Sequence, residues 1–270
     1  MKKVLILSLL LFTGSLTFAD STYVYASYFY TYGDFSNKGT SDDHGAYIST
    51  VLGYTNILSG AFNKINREDK DWLYEQNSFF AGYTKVLFPL YLKANYAHIT
   101  GTFDYKPYEY QYKDKTNLFN IGAAYYVPWF YLSAGATYLN VDGFKPVDVY
   151  SGVLRADYVP SWYFSLTLAP QYTKVSDGRS MFGLNVKLNW MINNNLIFRG
   201  SAFTGERAYH FDSDLFTIYN QDETQKLLLS GTIEHRLFNS FALQLSYQYN
   251  DFTNYQVNYY IAGIKTNFTF

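Results

Sequence analysis

The sequence contains no cysteine among its 270 residues, only six prolines, and no long apolar run after its first twenty residues. Without cysteine the chain can form neither disulfide bridges nor thiolate metal sites. Without a later run of about eighteen apolar residues it offers no candidate transmembrane helix. The formal net charge of −1 disfavours a nucleic-acid-binding protein, which would carry a basic excess.

Aromatic side chains are abundant instead: 30 Tyr, 23 Phe and 4 Trp make up 21% of the chain. A tyrosine ring has an apolar body and a polar tip, so it favours positions between an apolar and a wet environment. This composition predicts a protein with an extensive boundary of that kind.

The N-terminus has the pattern of a secretory signal peptide. Two lysines precede an apolar run at Val4–Phe12, and small residues lead up to Ala19. The run is too short to span a bilayer, and no cysteine follows it to carry a lipid anchor. We therefore predict a signal peptide at residues 1–19 and a mature domain at residues 20–270.

Turn signals divide the mature chain into seven segments of similar length. Proline and asparagine indicate tight turns at Tyr54–Asn56, Phe88–Pro89, Val127–Pro128, Val159–Pro160, Asn193–Asn195 and Phe238–Ser240. More polar and more charged segments lie between these turns. Seven hairpins predict about fourteen antiparallel strands, with twelve or sixteen as alternatives, and alternating short and long connections are typical of transmembrane β-barrels.

The strands alternate in character from residue to residue. Along residues 241–250 the apolar set is Phe241, Leu243, Leu245, Tyr247 and Tyr249, and the intervening residues are small or polar. A period of two predicts strands that meet lipid on one face and water on the other. Aromatic residues near the tight turns are typical of an interfacial girdle. A soluble β-sandwich also alternates, but the girdle and the loop asymmetry disfavour it.

The last strand, ending in IKTNFTF, places Phe268 and Phe270 on its apolar face. With this ending the chain resembles bacterial outer-membrane β-barrel proteins, and its strand count resembles the monomeric fourteen-stranded porins. Its layout is more loosely similar to YaiO-type outer-membrane barrels. The resemblance implies an all-β, up-and-down transmembrane barrel in the outer membrane, in contact with lipid and lipopolysaccharide. It also implies that the barrel-assembly machinery reads Phe268 and Phe270 as an assembly signal.

A barrel of about fourteen strands has a backbone diameter of roughly 28 Å, which is too wide for its own side chains to fill. We therefore expect a pore for passive diffusion of small hydrophilic solutes, with no enzyme activity and no cofactor or metal. The longest loop, Phe211–Gln225, is expected to narrow the pore without filling it.

Strand parity predicts more basic than acidic side chains along the pore. The predicted pore-lining residues are Lys93, Arg155, Asp157, Lys187, Arg199, Arg207, Glu234, Arg236 and Lys265. Because charged rings select counter-ions, this excess predicts a preference for anions. The alternative for individual residues is pairing that merely keeps the lumen wet, as between Arg155 and Asp157 or Arg236 and Glu234. The acidic residues of the loops, including Asp43, Asp212 and Asp214, are expected to form a solvated rim.

Two other function classes stay open. One is a binding or structural barrel that does not conduct. The other is a hydrolase at the barrel rim, which would use Asp42-Asp43-His44 or His210-Phe211-Asp212 in external loops, because a carboxylate can orient a histidine as general base. The chain has neither a G-x-S-x-G nor an H-E-x-x-H motif, which disfavours the second class.

Overall fold

The computed structural model describes residues 22–212, 214, 217–219, 222–238 and 240–269. The predicted signal peptide and Phe270 lie outside the described residues. No helix in these ranges is long and apolar enough to cross a membrane. The described chain is built almost entirely of β-strands, in agreement with the predicted fold class.

Sixteen strands follow one another along the described residues. They are β1 (Thr22–Phe35), β2 (Thr40–Leu52), β3 (Asn56–Glu68), β4 (Trp72–Leu87), β5 (Leu90–Tyr105), β6 (Tyr110–Val127), β7 (Phe130–Asp142), β8 (Val147–Ser161), β9 (Phe164–Val175), β10 (Ser180–Asn193), β11 (Leu196–Arg207), β12 (His210–Asp212), β13 (Thr217–Tyr219), β14 (Gln225–Phe238), β15 (Phe241–Phe252) and β16 (Gln256–Thr269). One 3₁₀ turn, Lys106–Tyr108, joins β5 to β6.

Fourteen of these strands form a closed barrel, and β12 and β13 form a separate two-stranded sheet. Neighbours in the wall are antiparallel and consecutive in the chain, except that β11 pairs with β14, past the small sheet, and that β1 pairs with β16. The barrel closes where β1 pairs with β16, from Tyr23 opposite Thr269 to Phe35 opposite Val257. The predicted fourteen-stranded antiparallel barrel is therefore confirmed.

The turns mostly lie where the sequence predicts them, but Val159–Pro160 is not one of them. These residues belong to β8, at a register shift between Tyr158 and Ser161, and the chain turns at residues 162–163. Proline is tolerated in a strand at such an irregularity because no regular ladder hydrogen bond is required there. At the opposite end, polar and charged residues such as 110–115 continue a strand instead of forming a loop.

The outer face of the wall is apolar and the inner face mixed, as the alternation predicts. Leu154 on β8 and Leu245 on β15 are among the most exposed apolar side chains, at 63% and 67%. Trp129 and Trp162 lie exposed at the short turns, which is the expected position of an aromatic girdle. Such a closed barrel satisfies its backbone polar groups internally, so its outer face is suited to lipid.

The first strands carry aromatic residues on both faces, which is why their orientation could not be assigned from sequence. On β1, Tyr28 and Tyr30 are exposed outside while Phe29 faces the lumen. On β4, Glu75 and Lys85 share the outward face with the exposed Phe79.

Substitutions of two adjacent residues of β15 test which face of the strand meets lipid and which meets the lumen. We expect Leu245→Arg to destabilise the barrel by about 2–4 kcal/mol, because it places a charge against lipid near the middle of the strand. Ser246→Arg, which points into the lumen, should cost less than about 1 kcal/mol. Urea unfolding of the protein refolded into lipid vesicles measures both changes, and equal effects would contradict the assigned faces.

Candidate functional site in the lumen

Between β11 and β14 lie residues 208–224, which we call the inward segment because its described residues 208–212, 214 and 217–219 lie inside the barrel. It contains β12 and β13, which pair from His210 opposite Tyr219 to Asp212 opposite Thr217. Just before it, Gly205 has a positive φ of 115°, and a Cβ there would lie 2.5 Å from the Phe182 carbonyl oxygen. Only glycine fits this bend without strain. The bend lies in an irregular stretch of the β11–β14 pairing, where the chain approaches the inward segment.

Apolar side chains attach the inward segment to the wall. Tyr209 and Phe211 are buried against lumen-facing residues of β4 to β10, and the rings of Phe211 and Phe80 stack at 5.7 Å between centroids. The wall residues of this cluster are Phe80, Ala97, Leu118, Leu139, Val141, Val147, Val149, Val175 and Met181. Most of them lie in the strand halves away from the short turns. That part of the lumen is therefore packed rather than filled with water, and the segment occupies more of it than predicted.

Arg207 anchors the base of the segment and is only 2% exposed. Its Nε donates a 2.6 Å hydrogen bond to Gln225 Oε1, and Gln225 Nε2 donates to Asn250 Oδ1 at 2.6 Å. The guanidinium lies 4.0 Å from the centre of the Phe203 ring, a cation–π contact. Although Arg207 was predicted to line the pore, its burial withdraws it from any solute.

A cluster of charges joins the tip of the segment to the wall; we call it the central ion cluster. Its members are Lys93, Arg155, Asp157, Lys187, Asp212 and Asp214. Arg155 contacts Asp157 at 2.8 Å and Asp214 at 2.6 Å. Lys187 contacts Asp212 at 2.9 Å and Asp214 at 2.8 Å. The prediction that Asp212 and Asp214 belong to a solvated rim is wrong, because both carboxylates bind cations inside the barrel.

A second group of charges surrounds Glu234. This carboxylate accepts from Arg199 at 2.9 Å and from Lys265 at 2.8 Å. Lys265 reaches it from β16 across Ala242 on the intervening strand, whose small side chain leaves the way open. The suggested pairing of Glu234 with Arg236 is replaced by these two contacts, and Arg236 is exposed near the short-turn end.

The inner face is less basic than the sequence analysis predicts. Strand register adds Arg67, Asp43 and Asp114 to the inward-facing set, and the inward segment adds Asp212 and Asp214. Among the described residues with a clear inward orientation, eight basic side chains then face six acidic ones: Lys93, Arg155, Lys187, Arg199, Arg207, Arg236, Lys265 and Arg67 against Asp157, Glu234, Asp43, Asp114, Asp212 and Asp214. The basic side chains still outnumber the acidic ones, but most of the acidic side chains are in contact with a basic neighbour.

Two cavities lie on either side of the segment tip, towards the short-turn end. The first, of about 310 Å³, is bounded by β4 to β10 and contains the central ion cluster, with Tyr91 and Tyr131 in its wall. Their ring centroids are 5.9 Å apart. The second, of about 490 Å³, lies against β1 to β4 and β14 to β16 and is lined by Phe29, Phe80 and Ile218 among others. Tyr163 does not line either cavity, because it lies in a turn and contacts Trp162.

The two histidine–carboxylate pairs do not form one site. His44 lies on the outer face, where its Nδ1 is 2.6 Å from the Tyr28 hydroxyl, whereas its neighbour Asp43 faces the lumen. His210 is buried in the inward segment, and Asp212 is bound to Lys187. Both pairs were predicted in external loops, but the first lies on β2 and the second on β12. Among the described residues, no group of three or more histidine or acidic side chains is arranged to hold a metal ion.

No family model matches the sequence, and no curated protein matches it either. Among solved structures the barrel is similar to the CymD monoaromatic hydrocarbon channel, with a TM-score of 0.61 and 9% sequence identity over 94% of this chain and 90% of that one. It is also similar to a deltaS2 mutant of the TodX monoaromatic hydrocarbon channel, with a TM-score of 0.60 and 10% identity over 94% and 92%. The fold is that of an outer-membrane β-barrel. With its apolar outer face, the protein resides in the outer membrane.

Removing one ring tests the docking of the inward segment. We expect Phe211→Ala to weaken docking by about 3–5 kcal/mol, because it leaves a cavity against Phe80. Proteinase K should then cut within residues 208–224 of the refolded protein much faster than in the wild type. Phe144→Ala, on an exposed loop, is the matched control and should leave cleavage unchanged. Equal protection of both variants would contradict docking through this contact.

The ion pairs predict how docking responds to pH. The ammonium of Lys187 and the guanidinium of Arg155 hold the pKa of Asp214 below its usual value, against the opposing effect of burial. A depressed folded-state pKa gives stability that is present above the unfolded pKa of about 3.9 and is lost only as the pH falls through the lower folded value. The contribution of the Asp214 ion pairs to protection should therefore be constant from pH 8 to about pH 4, whereas burial holds the pKa of His210 well below its usual value of 6.5 and should weaken docking as the pH falls below about 6.5. A loss of protection between pH 7 and pH 5 that persists in His210→Gln would contradict the assignment to Asp214.

Proposed function

We propose that the protein is an outer-membrane channel for passive diffusion of small solutes, with a preference for anions. The observation that carries the proposal is the first cavity, where the barrel wall itself contributes Lys93, Arg155 and Lys187 but only one acidic side chain, Asp157. The remaining carboxylates there come from the inward segment. Fixed cations on a channel wall attract and select anions.

The barrel dimensions support a channel more than a plugged structural protein. A wall of fourteen strands is too wide to be filled by its own side chains, and two cavities are present beside the segment tip. The two solved structures reported above are named as channels. Because those likenesses are to channels and the histidine–carboxylate pairs are separated, a catalytic function is disfavoured.

A second candidate is a channel for small apolar or aromatic solutes. The second cavity favours it, since Phe29, Phe80, Ile65, Ile218 and Ile261 contribute to its lining. The two similar structures are described as monoaromatic hydrocarbon channels. A barrel that binds a ligand without conducting is the third possibility, favoured by the packed half of the lumen.

Export and assembly complete the proposal. Residues 1–19 serve as a cleaved signal peptide, and the barrel-assembly machinery recognises the last strand through Phe268 and Phe270. Phe268 is half exposed on the outer face, where a membrane-embedded assembly factor has access to it. The protein functions as a monomer surrounded by lipid and lipopolysaccharide, and its solutes are small molecules.

Single-channel recording in a planar bilayer under a salt gradient tests conduction and selectivity together. We expect discrete conductance steps and a reversal potential shifted towards the equilibrium potential of chloride. The conductance steps should be larger in the Phe211→Ala variant, because the packed half of the lumen is loosened. Lys187→Gln should shift the reversal potential towards zero, whereas Lys70→Gln, on an exposed loop, should not.

Three results would count against parts of this proposal. Cation selectivity would keep the channel and remove the anion preference. Uptake of toluene without ionic conductance would favour the second candidate. A folded, heat-modifiable protein that conducts in neither form and admits no solute into vesicles would overturn the channel.

A further inference from the structure

The carboxylate of Asp214 lies against two cations of the barrel wall, although Asp214 is not itself a residue of the wall. Nη1 of Arg155 lies 2.7 and 2.6 Å from its two oxygens, and Nζ of Lys187 lies 2.8 Å from one of them. Asp214 lies on the inward segment, whereas Arg155 and Lys187 are on β8 and β10. The segment therefore presents a carboxylate to the wall in the way that a bound anion would be presented.

The cations are held in place by other contacts than those to Asp214. Asp157 accepts from Nε of Arg155 at 2.9 and 2.8 Å, and it also accepts from the hydroxyl of Thr167. Lys187 is bound by Asp212 at 2.9 Å. If Asp214 withdrew, the donors facing it would stay oriented, because their other partners are on the wall or on β12. Donors fixed in advance give strong, directional binding of a carboxylate.

The space next to these donors has the size and lining of a ligand site. The first cavity measures about 310 Å³ and brings Tyr91 and Tyr131 to the same side of the lumen as Arg155 and Lys187. Small-molecule sites of this size combine a few charged groups with an aromatic or apolar wall. A tyrosine face accommodates either an aromatic ring or the apolar face of a sugar ring.

We propose that Arg155 and Lys187 bind the carboxylate of a small cyclic acid in place of Asp214, with the ring of the solute in the first cavity beside Tyr91 and Tyr131. The inference deepens the proposed function, on which it rests for the entry of the solute into the lumen. Asp214 then acts as an internal competitor that fills the site when no solute is present.

Competition by Asp214 lowers the apparent affinity for an external acid by a measurable factor. When an internal group occupies a site in about 90% of the molecules, the apparent affinity for an external ligand falls about tenfold. Asp214→Asn removes the competing charge while keeping the shape of the side chain. Its effect on affinity should therefore exceed that of an equal change in lumen charge that frees neither Arg155 nor Lys187.

The experiment is a calorimetric titration of the refolded protein in detergent micelles with benzoate, glucuronate and benzamide. We expect Asp214→Asn to bind benzoate or glucuronate about tenfold more tightly than the wild type, and whichever acid binds identifies the kind of ring. Benzamide, the neutral counterpart of benzoate, should not bind. Asp43→Asn, in the second cavity, makes the same change in charge without freeing a cation and should stay within twofold of the wild type.

Arg155→Gln and Lys187→Gln should each reduce acid binding at least tenfold, and their heat-modifiable migration in gels checks that they fold. Equal affinities of Asp214→Asn and Asp43→Asn, or equal binding of benzoate and benzamide, would overturn the inference. Bilayer recordings distinguish the absence of the carboxylate site from the absence of a conducting channel. Conduction without an Arg155-dependent acid site overturns only the carboxylate site, and acid binding without conduction supports the site while overturning the channel.

Discussion

The hydrogen bonds that close β1 onto β16 are the constraint on which the rest of the structure depends. In lipid there is no water to satisfy a free strand edge, so a membrane sheet of this kind must close on itself. Fourteen strands closed in this way enclose a space that the wall cannot fill. Every other feature of the protein, from the inward segment to the ion clusters, is a way of occupying or using that space.

The inward segment occupies it with two chemically different contacts. Its base is held by apolar packing and by Arg207, and its tip by charges that meet the wall cations. The apolar part resembles the core of a soluble protein, since Phe211 packs against side chains from several strands. The ionic part lies beside open cavities and so remains in contact with any solute that enters. This division separates the part that holds the segment from the part that can exchange partners.

Much of the fold was predictable because its rules are local. Alternation and turn residues depend on neighbours in the chain, and they gave the strand number and the lumen face of β5 to β11. The faces of β1 to β4 were not predictable, because tyrosine is tolerated on both sides of a membrane strand. The pairing of Asp214 with Arg155 was also beyond reach, since it depends on the path of a loop. The apolar residues Tyr209, Phe211 and Ile218 were the available signal that residues 208–224 do not form an ordinary solvated loop.

The small distance between Glu234 and Lys265 has a consequence for how the barrel finds its register. Lys265 lies on the closing strand, and a slip of one residue would turn it towards the acyl chains while moving Ile264 and Phe268 into the lumen. In the correct register its ammonium reaches a carboxylate that Arg199 already contacts, two strands away. The lysine thus selects the alignment of the last strand on β15: its charge is satisfied in one register, and a strand that pairs one residue out of register carries it into lipid.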